Sequence, residues 1–143
     1  MKIVSACLCG IPCRYDGESR QDPELIEMVA RGEAIPVCPE QLGGLPTPRI
    51  PAELSGSGEL VFSGEAQAIR ADGQDVSEAF MMGAYAALAI AKEHGAEEAI
   101  LKAKSPSCGN GKIYDGSFTR TLTEGDGVTA ALFKQHGIRV ESR

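Results

Sequence analysis

Three segments of this chain place a cysteine beside a sharp turn where an apolar run ends: Cys-Leu-Cys-Gly-Ile-Pro-Cys-Arg-Tyr-Asp-Gly at 7–17, Val-Cys-Pro-Glu at 37–40 and Lys-Ser-Pro-Ser-Cys-Gly at 104–109. Cys7, Cys38 and Cys108 lie far apart in sequence, so only a folded domain brings them together, and glycine or proline beside each holds a loop open. One buried cysteine is ordinarily a small hydrophobe. Three, each in a loop at a strand terminus, point to a shared metal or cluster site, since gathered thiolates are the usual ligands of zinc and iron–sulfur centres.

The runs that carry these cysteines alternate with helical patterns. Residues 2–8 are mostly apolar and stop at Gly10, as a strand buried on both faces does. A helix is expected over 23–31, with Asp22 as cap, Pro23 at its first position and Gly32 as stop. Residues 34–38 form the next strand. From Gln41 to Gly58 four glycines and three prolines favour an irregular lobe, and a hairpin is expected over 59–70. The longest helix is expected over 76–94, with capping-box spacing between Asp75 and Glu78, and its alanines and Gly83 imply close packing against a sheet. Residues 98–103 make a strand that delivers Ser105 and Cys108. A helix over 127–135, capped by Asp126, and a strand over 138–141 complete the chain.

Strand–helix alternation of this kind predicts a single α/β domain over 1–143: a Rossmann-like three-layer sandwich with a mostly parallel sheet, an irregular loop lobe and small hairpins. Ligands in such sheets gather beyond the carboxyl ends of the strands, where all three cysteine motifs fall.

Composition narrows the partners. A formal charge of −6 sets up net repulsion toward duplex nucleic acid, and no basic patch offsets it. The densest basic group, Lys102, Lys104 and Lys112, brackets the third motif, where it suits either a small anionic or polarised ligand or a solvated edge. No apolar run reaches the roughly 20 residues of a membrane span. The first residues, basic and then apolar, are too brief for a secretory signal and read as a core strand of a cytoplasmic protein. Five cysteines, three of them within seven residues, make a poor disulfide framework and a normal metal site for a reducing compartment. No pattern in the sequence sets an oligomeric state.

A structural zinc site would show paired knuckles or histidines. Cys7, Cys9 and Cys13 do not pair convincingly that way, and His94 and His136 each precede a glycine at an expected helix end, where they suit the last carbonyls. Three dispersed cysteines instead suit an iron–sulfur cluster with one iron left without a protein ligand, a Lewis acid open to a substrate atom. Nearby stand a carboxylate, Glu40, and a hydroxyl, Ser105. Arg49 can orient a planar heterocycle through its fork of donors, with a surface ion pair as the alternative.

Cys-Leu-x-Gly-x-x-Cys-Arg-Tyr-Asp-Gly, Cys-Pro-Glu followed by Gly-Gly-Leu-x-x-Pro-Arg, and Ser-Pro-Ser-Cys-Gly, in that order over essentially the whole chain, resemble the signature of a bacterial family long known as a domain of unknown function, which includes thiouracil desulfidases. The resemblance implies a [4Fe–4S] cluster held by Cys7, Cys38 and Cys108, with Cys13 as a secondary candidate, and a fourth iron that binds the sulfur of a thiolated pyrimidine. It makes Glu40 and Ser105 the residues that position and activate water. Arg49, Arg14 and Lys104 are the substrate-binding candidates. Cys9 stands where the family usually has leucine. Two other readings of the same residues stay open: a metal-stabilised small-molecule binding module without catalysis, and a sulfur-transfer protein that uses a cysteine thiolate.

Overall fold

The computed structural model describes residues 1–143 and is an α/β sandwich around one parallel sheet. Strands β1 (Lys2–Ser5), β2 (Ala34–Val37), β5 (Glu98–Leu101) and β8 (Arg139–Ser142) lie in the order β2-β1-β5-β8, and every adjacent pair is parallel. The chain leaves β1 to build β2 on one side and returns to build β5 on the other. The crevice between β1 and β5 is therefore the switch point where ligands settle in open sheets.

Pleating sends alternate β1 side chains to opposite faces. Val4, with Ile100 of β5, joins the smaller core under helix α1 (Pro23–Ala30). Ile3, with Ala99 and Leu101, joins the larger core, together with side chains of α4 (Ser77–Glu93) and α5 (Val128–Gln135). Both faces are covered, which gives the three layers. Helix α1 begins as its sequence dictates: Asp22 accepts from the Glu24 amide at 3.1 Å and Pro23 occupies the first turn, where no amide is needed.

Several local expectations are corrected. Residues 59–70 are not a hairpin. Gly58–Ser63 form the short helix α3, closed by Gly64 at φ +82°, and the strand β4 (Ala68–Arg70) pairs antiparallel with β3 (Ala52–Leu54) from upstream. Leu60 and Phe62, two apart, imitate a strand pattern that a single helical turn also permits. Asp126 does not cap α5. It accepts from the Gly111 amide at 2.8 Å and pairs with Lys134, while Gly127 takes the cap position. Asp75 accepts from the Ser77 amide at 2.8 Å at the start of α4, as expected, but the side chain of Glu78 closes no capping box. The irregular lobe contains the one-turn helix α2 (Pro39–Leu42) besides β3, and a small hairpin forms from β6 (Lys112–Tyr114) and β7 (Leu122–Glu124).

Gly83 packs against α2 and not against a sheet. A Cβ on Gly83 would stand 1.9 Å from the Pro39 carbonyl oxygen, and one on Gly43 would stand 2.0 Å from that of Ala79. Backbone thus meets backbone, and the contact fixes where α2 presents Cys38 and Glu40. Alanine is favoured over glycine inside a helix by about 1 kcal/mol. A clash with backbone has no rotamer to relieve it, and overpacking costs about 1–3 kcal/mol. Gly83→Ala is therefore expected to lower the melting temperature, measured by thermal unfolding; a value at or above wild type would mean that α2 moves aside freely.

Candidate functional site

Each cysteine motif begins where a strand of the sheet stops. Cys7 lies in the single 3₁₀ turn Ala6–Cys9 that continues β1, Cys38 is the cap residue between β2 and α2, and Cys108 follows the turn after β5. Cys7, Cys13, Cys38 and Cys108 all line one cavity of about 500 Å³. Cys9 lies outside it, against the smaller core. All five cysteines are unpaired.

Cys13 is 2% exposed and lies beside Cys7 and Cys38, both of which influence its acidity. The neighbouring thiols and burial raise its pKa, while those of both neighbours fall. The Cys13 thiol is the main cause that lowers Cys38 to about 7, and burial opposes it. Cys7 is lowered for the same leading reason. As a neutral thiol, Cys38 lies 3.7 Å from the Cys13 carbonyl oxygen and donates there instead. Cys108 is buried, which pushes its thiol up to about 12, although the nearby Ser5 hydroxyl works the other way. Ser5, only 2% exposed, also accepts from the Lys102 amide at 2.9 Å and so ties the ends of β1 and β5 together.

Arg49 braces the opposite wall. Its Nε donates to Glu40 Oε1 at 3.4 Å, one terminal nitrogen to Pro46 O at 3.1 Å and Thr47 Oγ1 at 3.0 Å, and the other to Cys13 O at 2.9 Å, with Glu40 Oε2 at 3.3 Å. A guanidinium has five N–H donors, and four are hydrogen-bonded within this chain. With its side chain 5% exposed, Arg49 holds Glu40 and the Cys13 loop. Both Glu40 oxygens keep lone pairs for a further partner, because a carboxylate accepts at about four sites.

Ser105 lines the cavity, and its Oγ accepts from the amides of Ser107 at 3.2 Å and Cys108 at 2.8 Å. Its two lone pairs are engaged and its proton is free to donate. Arg14 and Lys104 also line the cavity, as do Lys102, from the basic group beside the third motif, and Arg20 and Arg120, which sequence reasoning did not single out. Lys112 does not; it lies 3.9 Å from Glu124 on the hairpin. Burial pulls the Lys102 ammonium below the ordinary lysine range, while charge on Cys7 pushes it up. His94 ends α4, with Nδ1 2.9 Å from Ile90 O, and His136 ends α5, both away from the cavity. No helix is long and apolar enough to cross a membrane.

No three His, Cys, Asp or Glu side chains converge closely enough to hold a single metal ion. A tetrahedral zinc needs its ligands within about 2.3 Å of one point. The thiols of Cys7, Cys13, Cys38 and Cys108 instead line one shared cavity.

The sequence profile of the 2-thiouracil desulfurase family matches residues 3–143. A Bacillus subtilis (strain 168) protein, "Uncharacterized protein YbbK", is 50% identical over 143 residues, which span 99% of this chain and 95% of that one. A solved structure, the [4Fe-4S]-dependent thiouracil desulfidase TudS, superposes with a TM-score of 0.87 at 45% identity, covering 99% of this chain and 89% of the other.

The thiol environments predict an order of reactivity in the metal-free protein, because the thiolate is the nucleophile. With iodoacetamide at pH 7, Cys38 is expected to be alkylated ahead of Cys9 and Cys108, and its rate to rise with pH through about 7. Peptide mass spectrometry reads the order, and equal labelling of Cys38 and Cys108 would refute it.

Proposed function

The chain belongs to the 2-thiouracil desulfurase family, and we propose that it removes sulfur from thiolated pyrimidines by a non-redox hydrolysis in which thiouracil and water give uracil and hydrosulfide. The observation that carries the reading is the meeting of Cys7, Cys38 and Cys108, from three strand ends, in one cavity that also holds Glu40 and Ser105.

The donor set fits a [4Fe–4S] cluster. Cys7, Cys38 and Cys108 supply three thiolates, and no fourth protein ligand is required when substrate takes the last place. Cys13, protonated between Cys7 and Cys38, acts as a hydrogen-bond donor to their sulfurs. Such donors to ligand sulfur tune a cluster's electronics. When bound, the cluster supplies a Lewis-acidic iron for the thiocarbonyl sulfur.

The chain's own groups manage water and protons. Glu40, held by Arg49 through both oxygens, accepts a proton from water as general base. Ser105, with only its proton to offer, orients that water by donating to its oxygen. A carbon–oxygen bond forms, the carbon–sulfur bond breaks, and the electron pair leaves with hydrosulfide, so oxidation states balance without a redox partner. Arg14 and Lys104 flank the cavity as candidates to hold the substrate's carbonyl oxygen. Arg49, four of whose five donors are engaged within the chain, acts as a positioning residue.

Anaerobically purified wild-type protein is expected to be brown, to contain iron and acid-labile sulfide, and to release hydrosulfide from 2-thiouracil. General base catalysis contributes about 10²–10⁴-fold, so Glu40→Gln is expected to lower kcat by that factor with iron content unchanged; wild-type turnover in this variant would remove Glu40 from the mechanism. Cys38→Ala is expected to be colourless, and full iron content in it would overturn the ligand assignment. The acidity of Cys38 favours one rival, thiolate-based sulfur transfer. Hydrosulfide release by metal-free protein would establish that rival instead.

A further inference from the structure

The tip of the β6–β7 hairpin, Asp115–Thr121, reaches the cavity through Phe118 and Arg120. Three residues other than glycine in the whole chain have positive φ: Lys104 at 70°, Phe118 at 58° and Arg120 at 59°. All three line this cavity. A bulky residue in that region is strained and persists only where its surroundings over-determine it, as at ligand clamps. The restraint here is Glu53, on β3 and itself part of the cavity wall. Its Oε1 accepts from the Gly116 amide at 3.0 Å and the Phe118 amide at 3.1 Å, across more than sixty residues of chain.

The side chain so held is an aromatic ring with an open face. Of the chain's three tyrosines and four phenylalanines, Tyr15, Tyr114 and Phe118 line the cavity. The ring of Tyr15 carries the Arg14 guanidinium 5.7 Å from its centroid. Phe118 has neither a stacked ring nor a cation against it, and it remains 38% exposed at the cavity edge. Glu53 thus holds a strained loop that keeps a free aromatic side chain on the wall of the cavity the thiols line. A planar heterocycle is the ligand such a face suits, because aromatic stacking recognises the π-face of any base.

We propose that Phe118 is the stacking platform for the pyrimidine ring and that Glu53 is the latch that holds it in place, so that the hairpin tip sets the substrate's plane and selectivity. The inference rests on the functional reading above. It adds a residue that binds ground state and transition state alike, and its removal therefore raises KM and leaves kcat largely intact.

The test uses cluster-loaded, anaerobic protein. In Phe118→Ala, KM for 2-thiouracil is expected to rise about tenfold, as a lost base–aromatic stack does, with kcat and iron content near wild type; Phe118→Tyr restores KM. Glu53→Ala raises KM similarly. Trypsin cleavage after Arg120, followed by mass spectrometry, reports on the same loop without turnover: 2-thiouracil is expected to slow it in wild type and not in Phe118→Ala. If wild-type protein desulfurates 2-thiouracil and Phe118→Ala does so with unchanged KM, the platform is overturned and the functional reading stands. Protection that depends on Phe118 in a protein that releases no hydrosulfide would uphold the platform and overturn the reaction. Absence of protection at Arg120 in wild type overturns the platform.

Discussion

Four hydrogen bonds from one buried guanidinium hold the cavity in shape. Arg49 joins three segments with no hydrogen-bonded strand in common: the loop that carries Cys13, the short helix that carries Glu40, and its own Pro46–Thr47 turn. Without it a carboxylate would stand half-buried with no partner, at the cost that follows when one member of a buried pair is lost. Lysine would not substitute, because a point charge on a flexible stem cannot reach acceptors arranged around a plane. The charge on Arg49 is thus used to fix shape, while Arg14, Arg20, Lys102, Lys104 and Arg120 line the same cavity.

What was legible in the sequence follows from range. The strands and the helix α1 are written locally, in apolar runs that stop at glycine and in Asp22 followed by Pro23, and the structure has them within a residue or two, save for the tail of β1. The convergence of Cys7, Cys38 and Cys108 was legible because parallel strands share an end, so that cysteines at like positions must meet. Leu60 and Phe62 misled because two residues do not separate a period of 2 from one of 3.6 over six positions. The role of Gly83 was half legible: small residues announce a close neighbour and do not say which one.

The remainder of the site is written in pairs remote in sequence. Nothing near Glu53 announces that its carboxylate receives amides from Gly116 and Phe118. Nothing in Ser5 tells that its hydroxyl receives the amide of Lys102. Cys13 was noticed as a spare thiol, but its place between two sulfurs depends on the turn after β1 and on Arg49 drawing in its carbonyl. Asp126 looked like a cap because caps are aspartates at that spacing, and was diverted by a lysine two turns along α5.

The meeting of Gly43 with Gly83 has a consequence for how such a protein diversifies. A junction made of peptide groups alone offers no side chain to exchange, and so it admits no gradual variation: it is either kept or lost. The half of the cavity that rests on it, with Cys38 and Glu40, is held by backbone contact. The hairpin tip that faces it hangs from the body by a few hydrogen bonds and can be rewritten residue by residue. New selectivity would be acquired on that side, while the chemistry opposite stays as it is.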